Sequence, residues 1–146
     1  VRKVYEMADR LTKVVQEFSV CSKGCDACCK MDVGILPIEA KYIAKSIGVE
    51  VSNCQSRKQS YDASKTPCTF LGEDGSCTIY EFRPLVCRTF FTFDNPMLCE
   101  EMNTPHSTYR ADSNILIQNL ARVLISFSRS QPCDIRDFFP TACRSD

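Results

Sequence analysis

The stretch CSKGCDACC, Cys21 to Cys29, places four cysteines in nine residues and ends on an adjacent pair. Thiols at this density serve as cross-links, nucleophiles or metal ligands. A chain of 146 residues can bury a modest core and does not need disulfide staples in order to fold. Its 11 cysteines are an odd number and cannot all pair internally. The first 20 residues lack the uninterrupted apolar core of a signal peptide, since Glu6, Asp9, Arg10, Lys13 and Glu17 break it. No other window approaches the length of a membrane span. A reducing, cytoplasmic location is therefore expected, and there clustered cysteines indicate metal binding or redox chemistry before disulfides.

Charge argues against one large class of partner, nucleic acid. The 18 basic and 18 acidic residues balance to zero, and no long run of one sign supplies the positive footprint that drives nucleic-acid binding. Lys3, Arg10 and Lys13 read as the solvated face of a helix, and Arg57 with Lys58 as part of a polar loop.

Val4, Met7, Leu11, Val14, Val15 and Phe18 recur at helical spacing, which predicts an amphipathic helix from Val1 to about Val20. A second helix is expected from Pro37 to Ile47. Proline suits its first turn, Ile38, Tyr42, Ile43 and Ile47 supply an apolar stripe, and Gly48 gives the stop. Residues 49–67 read as a polar loop. The run CTFLGEDGSCTIY predicts a hairpin around Gly72–Gly75. A last helix, from about Ser113 to Ser128, would be capped by Asp112 or Ser113 and bury Leu116, Leu120, Val123, Leu124 and Phe127. With no repeat or linker, residues 1–146 read as a single domain. The expected fold is mainly α with a small β-hairpin, compact around a cysteine-rich metal site.

Cys25-x-x-Cys28 has the spacing of a metal knuckle, and Gly24 gives its turn freedom. Adjacent side chains usually diverge, so Cys29 is expected to reach a second metal or another face, or to pack as a small hydrophobe. In the hairpin, a turn centred between Gly72 and Glu73 sets Cys68 opposite Cys77, with β-carbons about 4.5–5.5 Å apart. Cys87 follows after Arg83-Pro84 turns the chain back. The two modules could then close one site or two neighbouring ones. Four thiolates around a divalent metal or a cubane cluster carry about −2, which Lys23, Lys30, Arg83 and Arg88 are placed to compensate.

Taken together, CSKGCDACC, PCTFLGEDGSCTIYEFRPLVCR and the later Cys99 resemble the YkgJ-like cysteine-cluster family of zinc- or iron-chelating domains over about Cys21 to Cys99. The resemblance implies a chelating set of Cys21, Cys25, Cys28, Cys29, Cys68, Cys77, Cys87 and Cys99. The cofactor it implies is zinc or iron, mononuclear or as an iron–sulfur cluster. The family label is often written with two residues between its first two cysteines, whereas three stand here: Ser22, Lys23 and Gly24. Flagellin lysine N-methylase resembles the same family, but this chain is far shorter and shows no glycine-rich nucleotide loop.

Cys54, Cys133 and Cys143 lie outside the pattern and read as packed or exposed free thiols, with a Cys133–Cys143 pair open to oxidation. His106, the only histidine, reads as a solvated loop residue. Arg83 and Arg88 read as partners of carboxylates such as Glu81 or as supports of the metal site. Phe90, Phe91, Phe93, Phe138 and Phe139 read as core, and Glu39 as a first-turn carboxylate favoured by the helix dipole. The expected function is metal binding, with the metal ion as the first partner and a protein partner or substrate unidentified. The alternatives are a metal- or cluster-dependent transferase or thiol redox enzyme, and a metal carrier. No membrane partner is expected.

Overall fold

The computed structural model describes residues 1–54, 66–100 and 104–140. Five helices are found among them: α1 (Arg2–Phe18), α2 (Pro37–Ile47), α3 (Leu85–Arg88), α4 (Ile115–Ser128) and α5 (Ile135–Phe138). Four two-residue strands join them: β1 (Gly34–Ile35), β2 (Phe91–Thr92), β3 (Thr108–Tyr109) and β4 (Cys133–Asp134). β1 pairs antiparallel with β4, Ile35 opposite Cys133, and β2 pairs with β3, Phe91 opposite Tyr109. The β1–β4 pairing joins distant parts of the chain, and local patterning announces neither pairing. No helix among the described residues is long and apolar enough to cross a membrane.

α2 has the bounds its sequence predicts. Proline opens it, and Gly48 ends it in the left-handed region at φ 73°. It separates two apolar cores. Ala40, Ile43 and Ala44 face the first, with Val33, Ile35, Phe70, Ile79, Ile135, Phe138 and Phe139. Leu36, with the half-buried Ile38 and Tyr42, faces the second, with Tyr5, Ala8, Leu85, Ile117 and Leu124.

α1 forms where expected but is rotated. It buries Tyr5, Ala8 and Thr12, and leaves Met7, Val14 and Phe18 52%, 63% and 74% exposed. The cause is polar. The Tyr5 hydroxyl donates to Glu39 Oε1 at 2.8 Å, and the Arg88 guanidinium lies 4.2 Å over the Tyr5 ring. Arg88, itself buried, also reaches both oxygens of Asp9 at 2.7 Å. α4 is rotated likewise, burying Ile117 and Leu124 and exposing Leu116, Val123 and Phe127. Its cap is Asn114, whose side chain accepts from the Leu116 N–H at 2.8 Å. Asp112 and Ser113 belong to the preceding turn, Ala111–Ser113.

The hairpin is reduced to one bridge, Leu71 opposite Cys77. Gly75 at φ 74° and the Asp74 carboxylate, which accepts from the Ser76 N–H at 3.0 Å, place the turn later along the chain than a centre between Gly72 and Glu73. Cys68 is therefore not opposite Cys77. It leaves the ladder and donates its N–H to the Cys29 carbonyl at 2.7 Å.

Cys54 and Cys133 form a disulfide across a sequence separation of 79, with Cα atoms 6.6 Å apart. This corrects the reading of both as free thiols, and of Cys133 as a partner for Cys143. The pairing of β1 with β4 fixes Cys133 in the first core, where Cys54 packs. Cys143 and the Arg57–Lys58 loop lie outside the described residues.

Candidate metal centre

The cysteine turn is built from two tight bends. The Cys25 N–H bonds to the Ser22 carbonyl at 3.1 Å through Gly24, at φ 89°. The Cys29 N–H then bonds to the Asp26 carbonyl at 2.8 Å and starts a 3-10 turn, Ala27–Lys30. In a 3-10 turn successive side chains are about 120° apart, less than across a strand. Cys28 and Cys29 consequently both stay on the wall of one cavity, where divergence was expected. The second module packs directly on this one. A β-carbon on Gly75 would stand 3.1 Å from the Gly24 carbonyl oxygen, so the two turns abut backbone to backbone.

All eight cysteines of the pattern line one cavity of about 460 Å³: Cys21, Cys25, Cys28, Cys29, Cys68, Cys77, Cys87 and Cys99. All eight are free thiols. The 3-10 turn Pro96–Glu100 carries Cys99 against the Ala27–Lys30 turn, and α3 carries Cys87. Val33, Phe70, Ile79 and Ile135 form apolar wall, with Tyr80, Phe90 and Phe91. Phe91, Phe138 and Phe139 are buried as expected, Phe91 also lines the cavity, Phe90 is half-buried on its wall, and Phe93 is 39% exposed.

The thiols fall into two neighbourhoods. Cys29 adjoins Cys28 in the turn and meets Cys68 through its carbonyl, which accepts the Cys68 N–H at 2.7 Å. As donor to Cys28 first and Cys68 second, and with burial adding, the Cys29 thiol is pushed far above its ordinary value. The same bond lowers Cys28 against the opposing effect of burial, with the Arg83 charge assisting. Cys68 is lowered by its bond with Cys29, again against burial. Burial pushes up Cys77 and Cys87, and both feel the charges of Cys28 and Cys68. On the other side, burial raises Cys25 and Cys99, which feel each other's region through Cys21 and Cys28. Cys29 meets the second module at Cys68.

Of the four cations expected to balance the thiolates, Lys23 and Arg83 line the cavity. Lys23 also lies 3.8 Å from Asp74, with both side chains well exposed. Lys30 pairs with Asp26 at 3.0 Å. Arg88 turns away to Asp9, and its contact with Glu81 is to the carbonyl oxygen, at 3.1 Å. His106 is not on the cavity wall and sits with Nδ1 3.3 Å from Asp94 Oδ1. Sequence reasoning passed over Asp134 and Arg136. The cap that Asp134 offers to the Arg136 N–H, at 2.9 Å, is a local signal. Their contacts with the cysteine turn, about a hundred residues away, have none.

The donor set fits a thiophilic metal. Its side chains offer sulfur, and the described wall holds no Asp, Glu or His; thiolates select zinc, iron–sulfur clusters or copper(I) over magnesium or calcium. Among the described residues no three Cys, His, Asp or Glu side chains are already disposed to hold an ion. Binding through these thiols requires their protons to leave.

The class of protein is that of a small helical fold wrapped around a sulfur-lined cavity. A family model described as "Putative zinc- or iron-chelating domain", of the CxxCxxCC type, matches residues 20–113, well over half of the chain, and the chain belongs to this family. Comparison with curated proteins and with solved structures gives no match.

Proposed function

We propose that residues 1–146 form one cysteine-cluster domain that holds zinc or iron, the latter as a mononuclear ion or an iron–sulfur cluster. The observation that supports this is the convergence of eight free thiols on one cavity without a carboxylate among the described residues of its wall. Cys28, Cys29, Cys68, Cys77 and Cys87 are the proposed inner ligands, and Cys21, Cys25 and Cys99 the outer ones. A bound zinc would supply closure of the fold or Lewis acidity, and a bound cluster electron transfer. The chain's own part is to gather the sulfurs, to offset their charge with Arg83 and Lys23, and to exclude water with Phe70, Ile79 and Ile135.

A second reading, a metal-dependent enzyme, is favoured by the size of the cavity. About 460 Å³ exceeds the space of a single ion and falls in the range of small-molecule pockets. Tyr80, Arg83 and Phe90 on its wall would then face a substrate.

Elemental analysis of anaerobically purified protein, with absorption spectra to tell a cluster from zinc, tests the proposal. At least one zinc, or iron with thiolate charge-transfer absorption, is expected per chain. Metal-free protein that also fails to take up zinc or cobalt would remove the proposal. Cys28→Ser should lower metal content and melting temperature together, because ligation free energy is partly folding free energy.

A further inference from the structure

We propose that Arg136, held by Asp134, is the positioning residue of the thiol site: it sets the Cys28–Cys29 turn against Cys68. The proposal rests on the reading of the cavity as a metal site. It adds to that site a part of the chain beyond residues 20–113, the segment matched by the family.

Asp134 and Arg136 are 8% and 3% exposed, where β4 runs into α5. Asp134 Oδ2 accepts from the Val33 N–H at 2.9 Å, and Oδ1 accepts from Arg136 Nη1 at 2.9 Å. The other arm of the fork, Nη2, donates to the Met31 carbonyl at 3.0 Å and the Cys29 carbonyl at 3.3 Å. That Cys29 carbonyl also accepts the Cys68 N–H at 2.7 Å. One backbone oxygen is therefore the node where the cysteine turn, the second module and the C-terminal segment meet. The next residue of the same segment, Ile135, donates its N–H to the Val33 carbonyl at 2.9 Å and stands on the cavity wall.

A buried ion pair is a costly way to fasten a loop, since desolvation offsets much of its attraction. What this pair does that an apolar contact cannot is hold several backbone groups of one turn at fixed places. The planar guanidinium reaches a carboxylate and two carbonyls at once, whereas a lysine ammonium is a point charge on a flexible stem. Metal sites need their ligands held within about 0.5 Å by such supporting contacts. Residues that orient ligands in this way typically change metal affinity 10- to 100-fold when replaced.

The test is anaerobic cobalt(II) titration of the full chain against a competing chelator, with absorption spectra and thermal melts. Arg136→Gln should lower cobalt affinity about 10- to 100-fold and weaken the sulfur-to-cobalt charge-transfer band per bound ion. Arg136→Lys keeps the charge without the fork and should remain at least about tenfold weaker than wild type. Ile117→Ala, in the other core, is the control for general destabilisation: it should lower the melting temperature and leave affinity and spectrum unchanged. Wild-type affinity and spectrum in either Arg136 variant would overturn the proposal, as would an equal affinity loss in Ile117→Ala. If Arg136→Gln does not fold, Arg136→Lys and Asp134→Asn carry the test. If the wild type binds no cobalt, the metal reading has failed separately. The clamp is then judged in metal-free protein by amide exchange, which Arg136→Lys should accelerate at Cys68 and Val33 relative to Ile43; unchanged exchange would refute it.

Discussion

The carboxylate of Glu39 is buried and accepts from the Tyr5 hydroxyl at 2.8 Å, the Leu85 N–H at 2.9 Å and the Leu36 N–H at 3.0 Å. Three helices meet on this one side chain. Burial, and then the Glu39 charge, push the Tyr5 phenol far above its ordinary value, so the bond keeps its proton on Tyr5. Glu39→Ala leaves buried donors without an acceptor and should cost about 2–5 kcal/mol in urea unfolding, with Tyr5→Phe costing about 1 kcal/mol. A loss below about 0.5 kcal/mol for the alanine variant would show that water replaces the carboxylate there. The bond to the Leu36 N–H was foreseeable from a glutamate in the first turn. Those to Tyr5 and Leu85 span 34 and 46 residues and could not be read locally.

Two turns, each closed by a glycine, bring the cysteine modules together. Gly75 has φ 74°, and a β-carbon there would meet the Gly24 carbonyl oxygen at 3.1 Å. Gly75→Ala should therefore destabilise by about 1–2 kcal/mol, from left-handed strain and from pushing the modules apart. Gly48→Ala, also at positive φ but with nothing within 4 Å, carries only the strain and should cost less. Equal losses at the two positions would mean that the Gly24–Gly75 contact does not hold the modules. α2 and its stop were legible because proline, apolar spacing and glycine act within a few residues. The inward faces of α1 and α4 were not. Tyr5 follows Glu39 and Arg88 inward, and α4 packs Ile117 and Leu124 toward α1 and α2, so each helix turns away from its most apolar stripe.

At the scale of the molecule, the thiols tie stability to pH. Burial raises Cys25, Cys77 and Cys87, and its bond to Cys28 raises Cys29. For groups raised in the fold, the folded state binds the proton more tightly. Their stabilisation is complete below the ordinary thiol value, about 8.5, and is lost as pH rises through the folded value. Cys28 and Cys68, lowered by Cys29, act in the opposite sense and lose their stabilisation as pH falls. Raised groups outnumber lowered ones, so the metal-free protein should lose stability from about pH 8 to about pH 10. Metal-linked stabilisation should instead grow with pH, because binding releases thiol protons. Urea midpoints at both ends of that range, with zinc and with chelator, check both signs; metal-free protein that gains stability would contradict the thiol environments described. The sequence by itself determined the cysteine pattern, the three long helices and the turn glycines, because those depend on residues a few positions apart. Tertiary structure decided that Cys29 meets Cys68, that Cys54 pairs with Cys133, and that Arg136 reaches the cysteine turn. Those contacts depend on how β1 finds β4 and how two turns abut, which is settled by packing across the whole chain and leaves no trace in local spacing.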